Sequence, residues 1–253
     1  MDLPVNRFKR RLKDVQIGLW LVLADASSAE LCAVSGYDWL LIDGEHGPND
    51  LRTILAQLRA IAAYPVSPIV RAALGDTAEI KRLLDIGVQT LLIPMVESVE
   101  QARAIVAATR YAPDGIRGLA TLTRAGRWTR VRDYAERAHE EICVVVQIET
   151  AKGLENIEAV AAVEGIDALF IGPNDLAASI GYRGQLSHPK VTDAVENAIA
   201  RILAAGKPVG IFTLDESSAR HYLSLGCTFV SVGSDATLLA NSADALRRRF
   251  LDS

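Results

Sequence analysis

The sequence predicts a (β/α)₈ barrel, a closed ring of eight parallel strands with helices on the outside. Eight apolar runs recur along the chain at a steady spacing, and helical patterns lie between them. The length of 253 residues is typical of this fold, which takes about 250 residues. Strands that alternate with helices imply a parallel sheet with right-handed crossovers. A doubly wound open sheet is the alternative, and the count of eight strands favours the barrel.

The predicted strands are short and almost continuously apolar, as expected for parallel strands buried on both faces. They cover residues 17–22, 38–42, 66–70, 90–93, 143–148, 168–171, 208–212 and 228–232. Helical patterns cover residues 50–62, 76–86, 98–108, 151–162, 190–205 and 215–225. Residues 109–129 interrupt this rhythm, and segments of that length are often lids or interaction surfaces.

Local signals mark where several helices begin and end. Asp76 with Glu79, and Ser98 with Gln101, have the spacing of a capping box. Four glycines stand where helices are expected to end, namely Gly36, Gly87, Gly206 and Gly226.

Composition indicates one domain over residues 1–253 with a large core, because half of the residues are hydrophobic. The net charge of −4 gives no sign of a nucleic-acid partner, and no apolar run is long enough for a membrane span or a signal core. The basic run Arg247–Arg249 is interpreted as a solvated helix end or a subunit contact. Three scattered cysteines match neither a disulfide framework nor a zinc site, so we expect a reducing cytoplasm.

Polar residues recur where the apolar runs end. They are Asp43, Glu45 and His46 after the second strand, Arg71 after the third, Gln147 and Glu149 after the fifth, and Asp175 after the sixth. In a closed parallel barrel, the carboxyl ends of all strands meet at one face. We therefore expect these residues to converge on one pocket that suits a metal-assisted reaction of an anionic substrate.

The acids Glu149 and Asp175 are the best candidates for metal ligands. Two carboxylates with waters and an oxygen-rich substrate suit a hard divalent ion such as Mg²⁺ or Mn²⁺. A helix N-cap or a salt bridge is the structural alternative, and Asp175 in particular precedes a helical pattern. The free backbone N–H groups of the turn Gly172-Pro173-Asn174 are candidates for binding a carboxylate.

A second set of candidates would handle the substrate and its protons. Arg71 can bind a carboxylate at two points, or it can pair with an acid such as Glu149. Asp43 can orient and charge-stabilise His46, which is then a candidate acid or base. A Schiff-base aldolase needs a lysine in the pocket, and only Lys152 is near the predicted mouth. A metal-dependent enolate mechanism is therefore favoured over an imine.

Several motifs together resemble the HpcH/HpaI family of class II pyruvate aldolases, in particular its 4-hydroxy-2-oxoheptanedioate aldolase branch. They are LLIDGEHGPND, QTLLIPMVES, GIRG, VVVQIETAKGLENI and FIGPNDLAASIGY. The resemblance extends over nearly the whole chain. It implies a (β/α)₈ barrel that makes or cleaves 4-hydroxy-2-oxoacids through the enolate of pyruvate or hydroxypyruvate.

The resemblance also implies roles for individual residues. Glu149 and Asp175 would hold Mg²⁺, Mn²⁺ or Co²⁺, Arg71 would bind the 2-oxoacid, and His46 would be the acid/base, assisted by Asp43. Gln147 and the backbone from Gly172 through Pro173 to Asn174 would bind the 2-oxoacid as well, and the apolar wall for the aldehyde would be Trp20, Phe170 and Leu214.

Beyond one chain, the resemblance implies a homo-hexamer in which the C-terminal helix is exchanged between subunits. Asp85 would then reach the site of a neighbouring subunit. The stretch LATLTRAGRW is one residue shorter than in close relatives, and the resemblance places it near the mouth. The expected partners are a 2-oxoacid and an aldehyde. A CoA-ester lyase of the same superfamily and a non-catalytic 2-oxoacid-binding barrel are the alternative functions.

Overall fold

A computed structural model of the protein describes residues 1–251. Within this range, eight parallel strands pair in chain order, and the last strand pairs with the first, which closes a barrel. The strands are β1 (Gln16–Leu21), β2 (Trp39–Asp43), β3 (Ser67–Arg71), β4 (Thr90–Ile93), β5 (Cys143–Ile148), β6 (Ala168–Ile171), β7 (Val209–Phe212) and β8 (Phe229–Ser234). The predicted barrel is confirmed, and the open-sheet alternative is wrong.

A short helix precedes the first strand, and the other helices follow strands on the outside of the barrel. They are α1 (Arg7–Arg10), α2 (Ala26–Val34), α3 (Leu51–Ala60), α4 (Thr77–Asp85), α5 (Val99–Thr109), α6 (Tyr134–Glu141), α7 (Ala151–Glu155), α8 (Ile157–Ala161), α9 (Pro173–Ser179), α10 (Pro189–Ala204), α11 (Glu216–Ser224) and α12 (Asp235–Arg248). The single helix predicted over 151–162 is wrong, because Asn156 interrupts it. The Asn156 side-chain amide donates to the carbonyls of Glu97 (2.8 Å) and Lys152 (3.1 Å), and such bonds compete with regular helix geometry.

The helix ends confirm most of the boundary signals. Ser98 and Gln101 form the predicted capping box. Asp76 caps α4, but the Glu79 carboxylate accepts from the N–H groups of Ala73 (2.7 Å) and Leu74 (3.1 Å) instead of from Asp76. The second half of that predicted box is therefore wrong. The four glycines expected at helix ends follow α2, α4, α10 and α11 with positive φ angles.

The core has an outer layer between strands and helices and an inner layer within the barrel. The inner layer contains a chain of aromatic rings that starts at Phe8 of α1, which closes the end of the barrel where the strands begin. Ring centroids are 5.4 Å apart for Phe8 and Phe229, 5.9 Å for Phe229 and Phe170, and 6.2 Å for Phe170 and Trp20. The barrel is therefore filled with side chains up to its mouth. A ligand can bind only at the mouth, where the strands end.

The long segment before α6 lies away from the mouth of its own barrel. Arg124 Nη1 donates to the carbonyl of Ile86 (2.8 Å), and the N–H of Ala125 donates to the carbonyl of Asp85 (3.1 Å). Both acceptors are at the C-terminal end of α4, shortly before β4 begins. The expectation that residues 119–128 lie near the mouth is therefore wrong for the mouth of the same chain.

The C-terminal helix α12 packs its first residue against β1. The Asp235 carboxylate accepts from the N–H groups of Val22 (2.9 Å) and Leu23 (3.3 Å). The end of the helix is exposed, including the basic run Arg247–Arg249, and the exchange of this helix between subunits stays a prediction. Across residues 1–251, no helix is both long and apolar enough to cross a bilayer.

Candidate active site

The mouth of the barrel, where the strands end, holds a cavity of about 240 Å³. All predicted site residues line it except Glu149, which is in contact with two of the lining residues, and Asp85. The predicted residues along its wall are Trp20, Asp43, His46, Arg71, Gln147, Phe170, Gly172, Pro173, Asn174, Asp175 and Leu214. Residues that are far apart in the chain thus converge as expected.

Arg71 and Asp43 form a buried, two-point ion pair at the floor of the cavity. The pairing register of β2 and β3 sets the two residues directly opposite each other. Arg71 Nε donates to Asp43 Oδ1 (2.8 Å), and Nη2 donates to Oδ2 (2.7 Å). The guanidinium also lies 4.4 Å from the centroid of the Trp20 ring, a cation–π arrangement. Because strand pairing and ring packing fix its orientation, the guanidinium is held in place before any ligand binds.

A tight turn after β2 brings an additional acid to the arginine. Gly44 begins this turn, and a Cβ atom there would lie 2.6 Å from the carbonyl oxygen of Arg71, so only glycine fits. The turn places the Glu45 Oε2 atom 2.7 Å from Arg71 Nη1. The sequence marks Glu45 as a polar strand-end residue but indicates no role for it. The alternative that Arg71 pairs with nearby acids is confirmed, although its partners are Asp43 and Glu45 and not Glu149.

His46 is exposed at the rim of the same turn. Asp43 Oδ1 accepts a hydrogen bond from the backbone N–H of His46 (3.3 Å). Within residues 1–251, no hydrogen bond joins the Asp43 carboxylate to the imidazole. Asp43 therefore orders the turn that carries His46. The expectation that it orients the imidazole ring directly is wrong.

Glu149 follows β5 and is almost fully buried, with 2 % of its surface exposed. Its Oε1 atom accepts from the N–H of Met95 (2.7 Å), and Gln147 Nε2 donates to its Oε2 atom. Burial raises the pKa of Glu149 to about 7, the Met95 hydrogen bond opposes this, and the negative charges of Glu45 and Asp175 add to it. A carboxylate in these surroundings gains from a nearby cation.

The turn after β6 leaves room for the Glu149 carboxylate. A Cβ atom at Gly172 would lie 2.5 Å from Glu149 Oε2 and 2.7 Å from Gln147 Nε2, so a side chain here would displace both of these polar groups. Gly172 is the N-cap residue of α9, and Asp175 lies in the first turn. The alternative that Asp175 is an N-cap is therefore wrong.

The same turn offers fewer donors than the sequence suggested. Pro173 has no N–H, and the N–H of Gly172 donates to the carbonyl of Ile148 (3.2 Å). A ligand carboxylate at this turn would take its hydrogen bonds from the backbone N–H groups of Asn174 and Asp175, at the start of the helix.

The residues at the mouth fit a divalent cation whose remaining coordination positions are open to water and substrate oxygens. No group of three or more His, Cys, Asp and Glu side chains within residues 1–251 could by itself hold a metal ion. Mg²⁺ is commonly held by one or two carboxylates with waters and substrate oxygens, which the pair Glu149 and Asp175 matches. Gln147 Oε1 is buried and has no hydrogen-bond partner among the described residues. Four carboxylates at this mouth face one arginine, and a cation would correct that imbalance before an anionic substrate binds.

An aromatic wall stands beside the polar groups. Trp20 packs against Phe170 and, at 4.8 Å between ring centroids, against Phe212. Phe212 was missed in the sequence, although it ends a predicted strand as the recognised residues do. The Trp20 Nε1 atom is buried and lacks a hydrogen-bond partner within the described chain. Leu214 is more than half exposed at the rim. The wall thus combines apolar surface with one free N–H donor.

Two residues considered in the sequence lie outside the cavity. Arg117 Nη2 donates to Asp85 Oδ1 (2.8 Å) near the end of α4, on the side opposite the mouth. Asp85 therefore does not join the other site residues within one chain. The Lys152 Nζ atom lies 3.6 Å from Glu97 Oε2, and its side chain is 62 % exposed. It is not among the residues that line the cavity, which agrees with the preference for a mechanism without an imine.

The chain is similar to known proteins in sequence and in fold. Residues 16–242 match the sequence model of the family described as HpcH/HpaI aldolase/citrate lyase. The hydroxypyruvate/pyruvate aldolase of Pseudomonas aeruginosa is 56 % identical over 99 % of this chain and 94 % of its own length. The 4-hydroxy-2-oxo-heptane-1,7-dioate aldolase of Salmonella dublin is 54 % identical over 97 % of this chain and 94 % of its own.

A solved structure shares the fold closely. It is the HpcH/HpaI aldolase/citrate lyase family protein from Burkholderia cenocepacia J2315, which is 42 % identical. The superposition has a TM-score of 0.92 and covers 96 % of this chain and 99 % of that protein.

Proposed function

Since the chain belongs to the HpcH/HpaI aldolase/citrate lyase family and is a class II aldolase, a carbon–carbon lyase, we propose that it makes and cleaves 4-hydroxy-2-oxoacids at the mouth of its barrel. The observation that carries this proposal is the convergence of Arg71, His46, Glu149 and Asp175 from four strand ends. The donor is pyruvate or hydroxypyruvate, and the acceptor is an aldehyde. The names of the Pseudomonas and Salmonella relatives support this choice.

Aldolases of this family depend in general on a divalent metal. In this chain, Glu149 and Asp175 would hold it, and the all-oxygen donor set supports Mg²⁺ or Mn²⁺, while Co²⁺ is a further ion that the family resemblance implies. The bound cation would act as a Lewis acid toward the 2-oxoacid.

The chain's own residues would bind the 2-oxoacid and move its protons. Arg71 carries a fixed positive charge at the cavity floor, where it would face the carboxylate or the developing enolate oxygen. Gln147 and the turn from Gly172 to Asn174 would orient the substrate. His46 would take the proton from the 4-hydroxyl group during cleavage and pass it to C3 of the enolate, and it would reverse both transfers during synthesis. Trp20, Phe170 and Leu214 would form the aldehyde wall.

The direct test is cleavage of a panel of 4-hydroxy-2-oxoacids, with the released pyruvate measured through lactate dehydrogenase. Cleavage of at least one compound by the metal-supplied protein would support the proposal. Binding of pyruvate without turnover of any compound would instead favour a 2-oxoacid-binding barrel.

The variant Arg71→Ala is expected to lower kcat/KM by about 10²–10³, the usual loss when one partner of a developing oxyanion is removed. The substitution also leaves Asp43 buried without its partner, so activity and folding must be separated. Arg71→Lys is the control, since it keeps a positive charge near Asp43 but loses the two-point geometry. We expect it to retain most of the thermal midpoint while turnover stays low. Near-normal turnover by Arg71→Ala would rule out this role.

Metal affinity is expected to weaken as the pH falls through about 7. Because the pKa of Glu149 is raised to about 7, its carboxyl group is largely protonated below that pH, and a cation must displace the proton. The apparent affinity for Mn²⁺ at pH 6 should therefore be about tenfold lower than at pH 8. Calorimetric titration at the two pH values measures this difference, and equal affinities would contradict it.

The assembly and location are also proposals. We propose that residues 1–253 act as one aldolase domain in a homo-hexamer with exchanged C-terminal helices, in which Asp85 reaches a neighbouring site. Exposed apolar side chains on α12 support a subunit contact, namely Leu238, Leu239 and Leu246. We propose a cytoplasmic location, which the three free, buried cysteines support.

A further inference from the structure

All three nitrogen atoms of the Arg71 guanidinium are already engaged by acids of the protein. Nε and Nη2 donate to the two oxygens of Asp43 at 2.8 Å and 2.7 Å. Nη1 lies 2.7 Å from Glu45 Oε2. Each Nη atom carries two N–H groups, so an anionic substrate oxygen that binds Arg71 at Nη1 must compete with Glu45 Oε2 for that nitrogen.

The two acids differ in how firmly they are held. Asp43 belongs to β2, lies directly opposite Arg71, and also accepts hydrogen bonds from the backbone N–H groups of Glu45 (3.1 Å) and His46 (3.3 Å). Its side chain is 2 % exposed. Displacing it would break the strand-end turn as well as the ion pair, so Asp43 is a permanent partner.

Glu45 is held much more loosely. It lies on the turn between Gly44 and Gly47, outside the strand, and its side chain is 19 % exposed. Its Oε2 atom is close enough to Arg71 for an ion pair but forms no hydrogen bond of acceptable geometry with any described residue. A buried charge in such a contact has given up water without full compensation. Glu45 is therefore the partner that a better ligand can displace.

We propose that Glu45 is an internal competitor of the 2-oxoacid: its carboxylate occupies Nη1 of Arg71 in the free enzyme, and the substrate must displace it to bind. This inference rests on the proposed function, because it requires Arg71 to receive the 2-oxoacid. Glu45 is a specificity-determining residue in this scheme and takes no part in the proton transfers. By lowering ground-state affinity, it selects ligands whose negative oxygen meets Arg71 with better geometry.

The test is the substitution Glu45→Gln, which keeps the shape of the side chain and removes its charge. With saturating Mn²⁺, calorimetry should show pyruvate binding about tenfold tighter than in the wild type, as expected when one charge-assisted contact no longer competes. The KM for a cleaved 4-hydroxy-2-oxoacid should fall by a similar factor, while kcat changes less than KM. Glu45→Asp, which retains the charge on a shorter side chain, should bind pyruvate with intermediate affinity.

Glu216→Gln is the matched control, because Glu216 is exposed on α11 and pairs only with Arg220 (2.6 Å) among the described residues. Its pyruvate affinity should equal that of the wild type.

Equal or weaker pyruvate binding by Glu45→Gln would overturn the inference and make Glu45 a residue that positions Arg71. If Glu45→Gln does not fold, Glu45→Asp decides: affinity no higher than wild type overturns the inference. A wild-type enzyme without any 2-oxoacid binding or turnover would refute the proposed function itself, whereas wild-type turnover without tighter variant binding refutes only this inference.

Discussion

Incubation with a chelator is expected to abolish aldol cleavage, and added Mn²⁺, Mg²⁺ or Co²⁺ is expected to restore it. The physical reason is the charge at the mouth, where Glu149 and Asp175 stand with Asp43 and Glu45 around a single arginine. Without a cation, this set repels an anionic 2-oxoacid and offers little to stabilise an enolate. The lactate dehydrogenase assay measures the loss and the recovery.

The rival mechanism, an imine on Lys152, makes the opposite prediction. Full activity in excess chelator, together with borohydride trapping of substrate on Lys152, would refute the metal mechanism. Lys152→Ala serves as the control variant, and we expect it to retain its activity. The side chain of Lys152 is largely exposed and lies 3.6 Å from Glu97, so its removal leaves the cavity unchanged.

His46→Ala is expected to slow turnover by about 10²–10⁴, the usual contribution of a general acid or base. The imidazole is exposed at the rim and makes no hydrogen bond within residues 1–251, so the fold should not suffer. Binding of metal and pyruvate should persist, because Glu149, Asp175 and Arg71 remain. Both aldol cleavage and solvent exchange of the pyruvate methyl protons should fall.

Two assays separate the possible roles of His46. If cleavage falls while methyl exchange is unchanged, the imidazole acts on the aldehyde oxygen and not at the pyruvate carbon. If neither rate changes, His46 has no part in proton transfer. His221→Ala is the matched control, since that histidine pairs with Glu196 (2.8 Å) on the outer surface.

The strands and the location of the site could be predicted because buried parallel strands leave a direct mark in the sequence. Every predicted strand boundary lies within two residues of the observed one. The barrel topology then brings the strand ends together, so Arg71, Gln147 and Asp175 could be assigned to one pocket from the sequence alone. The fold and the convergence of the strand ends depend on the periodicity of apolar residues, and a single sequence is enough to show that periodicity.

The hydrogen-bond and ion-pair partners of individual side chains could not be predicted, because they depend on distances of a few tenths of an ångström. The sequence allowed Asp43 to orient His46, yet the pairing register of β2 and β3 places the Asp43 carboxylate against Arg71. Likewise, Glu79 has the spacing of a capping box but bonds to the preceding loop. The break at Asn156 is of the same kind, since its amide reaches the Glu97 carbonyl, far away in the chain.

The direct opposition of Asp43 and Arg71 across β2 and β3 means that neither can be exchanged alone at small cost. Removing one partner of a buried ion pair costs ~3–5 kcal/mol, a large part of the 5–15 kcal/mol or so that stabilises a typical domain. An evolving sequence would therefore have to alter both positions almost together, or first gain stability elsewhere. Likewise, a designer who grafts this site onto another barrel would have to transplant two strands in fixed register, since two side chains alone would not re-create it.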